Sequence, residues 1–407
     1  MKTFGLISIL VCVTSLRAQQ TWIRTGITDT ILAIHGDGTL IWAATEADGV
    51  KSFNPATGAI TTYNSAKSGF PDNDFRSILC VNGDVYAGSN NYGLFILHDE
   101  GWSSFDTTNS DISGNSIKDI MYVEADSSIW FATDKGLSIL KEGTWTNYDS
   151  IASPLAGNAL TCLYQSREGI IWIGTKYAGL SKYDNGTWET FNYGNSGINN
   201  NAIRAITQDE DDLLYVADYL GVNRYDIVAD NWLFVYNLFT VPMTSEKVNR
   251  MGFDDDDNFW MATHGGVTRA DSTNHFTLYY DYNSNLPNNV CDALYIDENN
   301  TVWVGTYGGL AFYTQEAFPN TITSSSMSII PNPANTDITV TINQLVEDIP
   351  TFCIYDLNGK NLENVIGVPA LYGECAYTIN ISDLPSGMYL LCAIQSNERM
   401  FETFVKL

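Results

Sequence analysis

Short turns that recur along this chain carry side chains suited to ligand binding. Four of these turns contain a tyrosine, and the others contain amide, acidic or basic groups. Aromatic rings beside amide and charged groups can stack on a sugar or capture a peptide. Alternatively, each tyrosine only packs against the neighbouring turn. The candidate binding residues are Asn90, Tyr92, Asp134, Lys135, Lys176, Tyr177, Asp218, Tyr219, His264 and Tyr307.

No sequence pattern in the chain points to a known catalytic centre. It has neither a Gly-x-Ser-x-Gly nor a His-Glu-x-x-His motif. It has no Cys-x-x-Cys pair and only 4 scattered histidines, so we expect no zinc site and no cofactor. A hydrolase or lyase acting on polysaccharides stays open as an alternative. It would require Asp134, Asp218 or His264 to converge.

Acidic clusters such as residues 254–257 fall in predicted turns, where aspartate caps its own backbone. Calcium binding at these turns stays open. The formal net charge of the chain is -27. A surface this acidic repels nucleic acid and anionic lipid, so neither is an expected partner.

These turns belong to a repeat of about 43 residues. An aromatic residue marks each repeat, a small polar residue follows it by three positions, and a glycine follows it by six or seven. The aromatic positions are Trp42, Tyr86, Trp130, Trp172, Tyr215, Trp260 and Trp303. Four short strands with tight turns fit into each repeat, which is the period of a propeller blade. The sequence therefore predicts an all-β, seven-bladed β-propeller over residues 19–318.

The seventh repeat lacks an outer strand of its own. Residues 20–25 carry the missing pattern, so we expect this N-terminal strand to close the last blade and remove an exposed edge. The alternative strand, from Phe318 onward, is disfavoured because Pro319 cannot donate to a ladder. The repeat Ile-Trp-Ile-Gly-Thr at 171–175 resembles the propeller repeat of periplasmic sensors in hybrid two-component systems of Bacteroidota. That resemblance implies the fold and oligosaccharide sensing, but we see no membrane span, kinase or DNA-binding segment after the propeller.

The chain begins with an export signal. Lys2 precedes an apolar stretch and Ala18 offers a cleavage site, so residues 1–18 form a predicted signal peptide. An exported chain could oxidise its cysteines, but Cys80, Cys162 and Cys291 lie in different repeats. We expect these three to be buried free thiols, and we leave open a disulfide among Cys353, Cys375 and Cys392.

After a polar linker at residues 319–326, the repeat gives way to short alternating strands. Residues 327–407 are predicted to form a small β-sandwich. Four of its sequence blocks resemble the sorting domain of the type IX secretion system. That resemblance implies the secretion machinery as a partner and passage across the outer membrane of a Bacteroidota cell. The matching residues are Pro331, Asn332, Pro333, Asp356, Gly359, Leu384, Gly387, Tyr389 and Lys406.

Together these features predict an exported binding protein, on the outer-membrane surface or outside the cell, rather than an enzyme. The expected ligand is a glycan or a protein, and we expect a monomer without a membrane span. A structural surface protein with no specific small ligand is a further alternative.

Overall fold

The computed structural model describes residues 22–99, 101–313, 327–331, 333–342, 351–355, 361–366, 368–369, 376–395 and 398–407. It confirms the predicted fold class, because the chain forms seven four-stranded propeller sheets followed by two small sheets. The predicted signal peptide and linker lie outside the described residues. Among the described helices, none is long and apolar enough to span a membrane.

Each blade is a four-stranded antiparallel meander. Blade 1 contains β2 (Ile31–Gly36), β3 (Ile41–Thr45), β4 (Val50–Phe53) and β5 (Ile60–Tyr63). Blade 2 contains β6 (Phe75–Val81), β7 (Asp84–Ser89), β8 (Leu94–His98) and β9 (Gly101–Phe105). Blade 3 contains β10 (Ile117–Val123), β11 (Ser128–Thr133), β12 (Gly136–Lys141) and β13 (Thr144–Tyr148).

The next three blades repeat this order. Blade 4 contains β14 (Leu160–Gln165), β15 (Ile171–Thr175), β16 (Leu180–Asp184) and β17 (Thr187–Phe191). Blade 5 contains β18 (Ala205–Gln208), β19 (Leu213–Asp218), β20 (Gly221–Asp226) and β21 (Asn231–Tyr236). Blade 6 contains β22 (Val248–Phe253), β23 (Phe259–Thr263), β24 (Gly266–Ala270) and β25 (Phe276–Tyr279). Two single-turn helices, α1 (Ser65–Ser68) and α2 (Asp281–Ser284), and a 3-10 turn at Glu124–Asp126 lie in connections.

The seventh blade joins the two ends of the ring. It contains β26 (Cys291–Ile296), β27 (Val302–Thr306) and β28 (Gly309–Tyr313), and its outer strand is β1 (Ile23–Arg24). β1 pairs antiparallel with β28, so that Ile23 faces Phe312. The first strands of neighbouring blades pack against one another in a closed ring that runs from β2 to β26 and back to β2. This ring surrounds a central channel.

Large aromatic side chains fill the wedges between blades. Trp172, Trp260 and Trp303, at the repeat position, are 0 to 2% exposed. A ring of this size spans the gap between two twisted sheets and buries more apolar area than an aliphatic side chain. The three cysteines of the propeller, Cys80, Cys162 and Cys291, are free and buried, as predicted.

The recurring glycine is required where the third strand begins. Gly309 has φ +125°, and a Cβ there would lie 2.0 Å from the carbonyl oxygen of Ile27. Gly179 has φ +96°, and a Cβ there would lie 2.1 Å from the carbonyl oxygen of Phe191. No other residue combines a positive φ with this close approach of the outer strand.

The described residues after 326 form two further four-stranded sheets. The first has the order β29 (Met327–Ile330), β30 (Asp337–Ile342), β34 (Ala376–Asn380) and β33 (Val368–Pro369). The second has the order β32 (Asn361–Ile366), β31 (Thr351–Tyr355), β35 (Gly387–Gln395) and β36 (Glu398–Lys406). Their inner faces share one apolar cluster that includes Ile338, Phe352, Leu391 and Phe404. Cys353 lies opposite Cys392 in the pairing of β31 with β35, while Cys375 lies outside the described residues.

Candidate functional site

The candidate turns lie between the second and third strands of each blade, at the end of the propeller that we call the upper face. A hydroxyl group holds six of these seven turns in shape. In blade 4, Thr175 Oγ1 donates to the carbonyl oxygen of Gly179 at 2.8 Å and accepts from the Ala178 N–H at 2.9 Å. Blades 1, 3, 6 and 7 have the same donated bond from Thr45, Thr133, Thr263 and Thr306. The variable residues therefore sit on a constant, rigid frame.

The loops that lead from one blade to the next lie on the same face. In several of them an asparagine side chain fixes the start of the loop. Asn201 Oδ1 accepts from the Tyr193 N–H at 2.7 Å, and its carbonyl oxygen accepts from the Gly179 N–H at 2.9 Å. One asparagine thus ties the outer loop to the inner turn. Asn73 and Asn115 make the same two contacts in the first two connections.

The innermost strands contribute a second set of side chains to this face. In six blades the innermost strand pairs with the second strand, and the register of this pairing shifts at the second residue of the innermost strand. Such a shift marks a β-bulge. A bulge re-aims the side chain of the extra residue, and several of these side chains contact the turns or one another at the channel mouth. The residues at this position, including the corresponding one in blade 5, are Leu32, Arg76, Lys118, Thr161, Arg204, Asn249 and Asp292.

On one side of the mouth, charged groups form a connected network. Arg76 is paired with Asp74 at 2.6 Å and lies 3.6 Å from Glu46. Asp74 accepts a hydrogen bond from the Asn90 amide at 2.9 Å, and Asn90 Oδ1 accepts from Lys118 Nζ at 2.7 Å. Burial, with the positive charge of Arg76, lowers the pKa of Lys118. Asn90 therefore links an ion-paired arginine to a lysine whose hydrogen-bond partner is an amide.

On the other side, a polar chain runs across blades 5, 6 and 7. The guanidinium of Arg204 donates to Asn249 Oδ1, and Asn249 Nδ2 donates to Asp292 at 2.7 Å. His264 Nε2 lies 3.5 Å from Asp292. Burial lowers the pKa of His264, and the Asp292 carboxylate opposes this effect. The same carboxylate, together with burial, raises the pKa of Tyr307.

The tyrosines are accessible from solvent. Tyr177 is 70% exposed, and Tyr92, Tyr219 and Tyr307 are between 43 and 47% exposed. Cations contact two of these rings. Lys176 Nζ lies 5.1 Å from the Tyr177 ring centre, and the Arg204 guanidinium lies 5.1 Å from that of Tyr219. Such contacts attract the cation to the face of the ring.

Three of the predicted residues border one surface cavity. Asn90, Asp134 and Lys135 line a cavity of about 510 Å³ between blades 2 and 3, together with Asn115 and Ser116. Asp218, by contrast, is fully buried. Its carboxylate accepts from the Leu220 N–H at 2.7 Å and from Asn223 Nδ2 at 2.9 Å. It takes the place of the turn hydroxyl in blade 5 and does not reach the surface.

Deeper in the channel, Asp119 and Arg250 form a second charged layer. Asp119 Oδ2 accepts from the Leu163 N–H at 2.9 Å. Burial raises the pKa of Asp119, and the positive charge of Arg250 opposes that shift. The two side chains come from blades 3 and 6.

The acidic turns at the opposite end of the propeller, the lower face, have internal partners. Asp254 Oδ1 accepts from the Asn258 N–H at 2.8 Å, and its Oδ2 accepts from the Trp260 indole at 2.8 Å. Asp297 holds Trp303 in the same way. Within the described residues, no group of three or more His, Cys, Asp or Glu side chains is placed to hold a metal ion.

Asp134, Asp218 and His264, which the enzyme alternative requires to converge, each contact a different group. His264 contacts Asp292, Asp218 is enclosed by its own turn, and Asp134 accepts from the Ser116 N–H at 3.4 Å. Sequence reasoning missed Arg76, Lys118, Asn249 and Asp292 at the bulges, and Arg204 at the corresponding position of blade 5. Each of them directly follows an apolar or cysteine residue at the start of the inner-strand segment, a fixed position in the repeat that could have identified them.

The described residues of the sorting motif lie near the C-terminal strand. Pro331, Pro333 and Gly387 are exposed, while Leu384 and Tyr389 are buried. The Tyr389 hydroxyl donates to the carbonyl oxygen of Pro385 at 2.7 Å. Ala334 forms a parallel bridge with Lys406. Asn332, Asp356 and Gly359 lie outside the described residues.

Two protein families match parts of the chain. Residues 328–406 match the secretion system C-terminal sorting domain, and residues 154–177 and 285–308 match the two component regulator propeller. These matches confirm both resemblances seen in the sequence. No curated protein matches the chain significantly.

Several solved structures share the fold at low identity. The extracellular domain of a hybrid two component system from B. thetaiotaomicron is 16% identical, with a TM-score of 0.65 over 95% of this chain and 57% of that one. PorZ, a surface component of the type-IX secretion system of Porphyromonas gingivalis, is 17% identical, with a TM-score of 0.57 over 93% and 59%. Streptogramin B lyase is 15% identical, with a TM-score of 0.59 over 73% and 99%.

This chain spans less than two thirds of the first two of these structures, and at such identity the likeness shows the fold alone. The sorting domain adds the route of export. The chain thus joins propeller repeats of the two component regulator kind to a secretion system C-terminal sorting domain, and it is an exported protein of the cell surface or the extracellular space.

Proposed function

We propose that this protein is an exported binding protein that recognises a glycan or a protein at the channel mouth of its propeller. One observation carries the proposal. Exposed tyrosines and a ring of bulged polar side chains meet on a single face, and rigid turns hold them there. A preformed surface of this kind loses little conformational entropy when a ligand binds. The sorting domain supports the proposal because it delivers this face to the outside of the cell.

A combined glycan and peptide array, probed with the mature full chain, tests the proposal. We expect specific signals that disappear when Tyr177 and Tyr307 are both replaced by Ser. The double replacement Val228→Ser and Ile60→Ser, at exposed positions away from this face, is the matched control and should leave the signals unchanged. Silence on both arrays at high protein concentration would rule the proposal out.

A secreted hydrolase or lyase acting on polysaccharides is the second candidate, and the His264–Asp292 pair favours it. A histidine 3.5 Å from a carboxylate supplies groups for proton transfer. This candidate predicts cleavage of a polysaccharide by the wild-type chain and at least a hundredfold slower cleavage by His264→Gln, roughly the contribution of one acid–base group. Absence of cleavage across a broad polysaccharide panel would exclude it.

A further inference from the structure

The upper face carries most of the large apolar side chains that the described propeller exposes. Beyond the four tyrosines at the turns, the loops between blades expose Ile151 at 91%, Tyr193 at 70%, Leu238 at 52%, Phe239 at 95% and Tyr282 at 75%. We call these five residues the apolar rim. The corresponding positions in the first two loops are Ala66 and Thr108, so the rim covers only part of the circle.

The rim loops are ordered by hydrogen bonds of their own. The Ile151 N–H and the Ala152 N–H both donate to Asp149 Oδ1 at 2.7 Å. The Phe239 N–H donates to Asn237 Oδ1 at 2.9 Å. These turns present Ile151 and Phe239 outward in fixed positions. Exposed apolar groups held in this way, in successive loops on one face, typically mark an interaction surface.

The same part of the face is basic. Lys118, Lys135, Lys176 and Arg204 belong to blades 3, 4 and 5, and we call them the basic sector. In the part of the chain that the structure describes, no carboxylate lies within 4.0 Å of any of these four cations. Arg76, in blade 2, is instead ion-paired. Asp74 and Asp134 are the acids that face Lys118 from further away.

The four cations of the basic sector are unusual because the chain as a whole is strongly acidic. The chain has 20 basic and 47 acidic residues, for a formal net charge of -27. Four cations that lack a close carboxylate at this channel mouth therefore stand out on a strongly acidic molecule. Cations gathered in one place attract and orient an anionic group.

We propose that the upper face of blades 3 to 6 binds an acidic protein segment, whose carboxylates contact the basic sector and whose apolar side chains cover the apolar rim. This inference deepens the proposed binding function and rests on it. The aliphatic part of the rim favours protein over polysaccharide. Hydroxylated sugar rings stack on aromatic faces but gain little from Ile151 or Leu238, whereas apolar protein side chains gain free energy by burying apolar area against them.

The inference is tested with the mature full chain and defined probes. One fluorescent peptide alternates Glu with Leu, a second replaces each Glu by Lys, and a third replaces each Leu by Ser. We expect the Glu–Leu peptide to bind at least tenfold more tightly than the other two, with an affinity that falls as salt is raised. Polygalacturonate, a carboxylated polysaccharide, is the competing probe.

Two double variants separate the contributions of charge and apolar contact. Lys118→Gln with Lys176→Gln should weaken binding of the Glu–Leu peptide about tenfold and reduce its salt dependence. Ile151→Ser with Phe239→Ser should weaken it about tenfold without changing the salt dependence. The matched controls are Lys141→Gln and Val228→Ser, which lie away from the upper face and should leave the affinity unchanged.

The possible failures are distinguishable. Equal affinity for the three peptides, or variants that bind like the wild type, would overturn the inference. Binding of polygalacturonate with no binding of the Glu–Leu peptide would also overturn it, while the proposed binding function would survive. Silence towards these probes and on both arrays would remove the inference and the proposed function together.

Discussion

At the scale of single residues, an aspartate in several lower-face turns makes two kinds of hydrogen bond. Asp209, Asp254 and Asp297 each fix their turn with one carboxylate oxygen and hold the aromatic anchor with the other. A buried indole N–H without an acceptor costs about 1–3 kcal/mol. The abundance of acidic turns in the sequence therefore has a structural cause that calcium does not need to explain.

Blade 4 departs from this rule, and the departure gives a prediction. Ser166 stands six residues before Trp172, where blades 5, 6 and 7 have aspartate. Within the described residues, the Trp172 indole N–H is buried and has no hydrogen-bond partner. Replacing Ser166 with Asp should supply the missing acceptor and stabilise the fold by about 1 kcal/mol. The urea unfolding midpoint measures this gain.

The reciprocal replacement in blade 7 is the control. Asp297→Ser should remove the acceptor of Trp303 and lower the unfolding midpoint, at a cost of about 1–3 kcal/mol. If Asp297→Ser destabilises the protein and Ser166→Asp does not stabilise it, a carboxylate acceptor for the indole N–H of Trp172 does not contribute to stability.

A second prediction at this scale concerns pH. His98 Nδ1 lies 2.5 Å from Asp84 Oδ1, and this hydrogen bond raises the pKa of His98 above its ordinary value of 6.5. Any stabilisation from the pair is therefore complete below pH 6.5 and is lost as the pH rises through the folded-state pKa. An NMR titration should show a raised pKa for His98 that falls back in Asp84→Asn. Asp99→Asn, which removes a more distant charge, should have a smaller effect, and an unchanged pKa in Asp84→Asn would refute the assignment.

At the scale of elements, the regular parts of the blade were predictable and the bulge was not. An aromatic residue such as Trp172 recurs at fixed spacing because every wedge between blades needs a large ring. A glycine such as Gly179 recurs because only glycine tolerates the close approach of the outer strand to its backbone. Lys118 and Arg204 also occupy a fixed position in the repeat, but the residue type there varies from blade to blade, and the side chain of Lys118 is directed by a local register shift. The apolar-polar alternation that predicts a strand does not indicate which residue is the extra one. The candidate site was therefore predicted only through its turns.

The strand β1 closes the ring, and losing the packing beside it should destabilise the propeller strongly. Trp22, just before β1, is fully buried against Trp260, Tyr279 and Tyr313, with ring centres 5.5 to 5.9 Å away. Replacing Trp22 with Ala removes this packing and should destabilise the propeller by about 3–5 kcal/mol, measured by chemical unfolding.

The exposed Tyr193 provides the comparison for this replacement. Tyr193→Ala should change stability by less than about 0.5 kcal/mol, because it removes few buried contacts. Similar stabilities for the two variants would mean that β1 does not secure the ring.

At the scale of the whole molecule, the two ends of the propeller differ in what their acids do. On the lower face the aspartates are engaged with backbone and indole groups. On the upper face, cations and exposed rings remain available. This polarity was only partly predictable, because the sequence placed the four tyrosines on one face but could not show which charges are paired. Asp218 illustrates the limit, since its position in the repeat indicated a surface residue while its contacts make it part of the frame.

The sorting domain gives the last prediction, which concerns location. Deleting residues 327–407 should leave the propeller folded, because no described strand from that region belongs to any of the seven propeller sheets. The truncated protein should accumulate in the periplasm, whereas the full chain reaches the surface or the medium, as cell fractionation with an antibody to the propeller would show. Retained affinity for a ligand identified on the arrays would confirm that the truncated propeller is folded. A truncated protein that still reaches the surface would mean that export depends on another part of the chain.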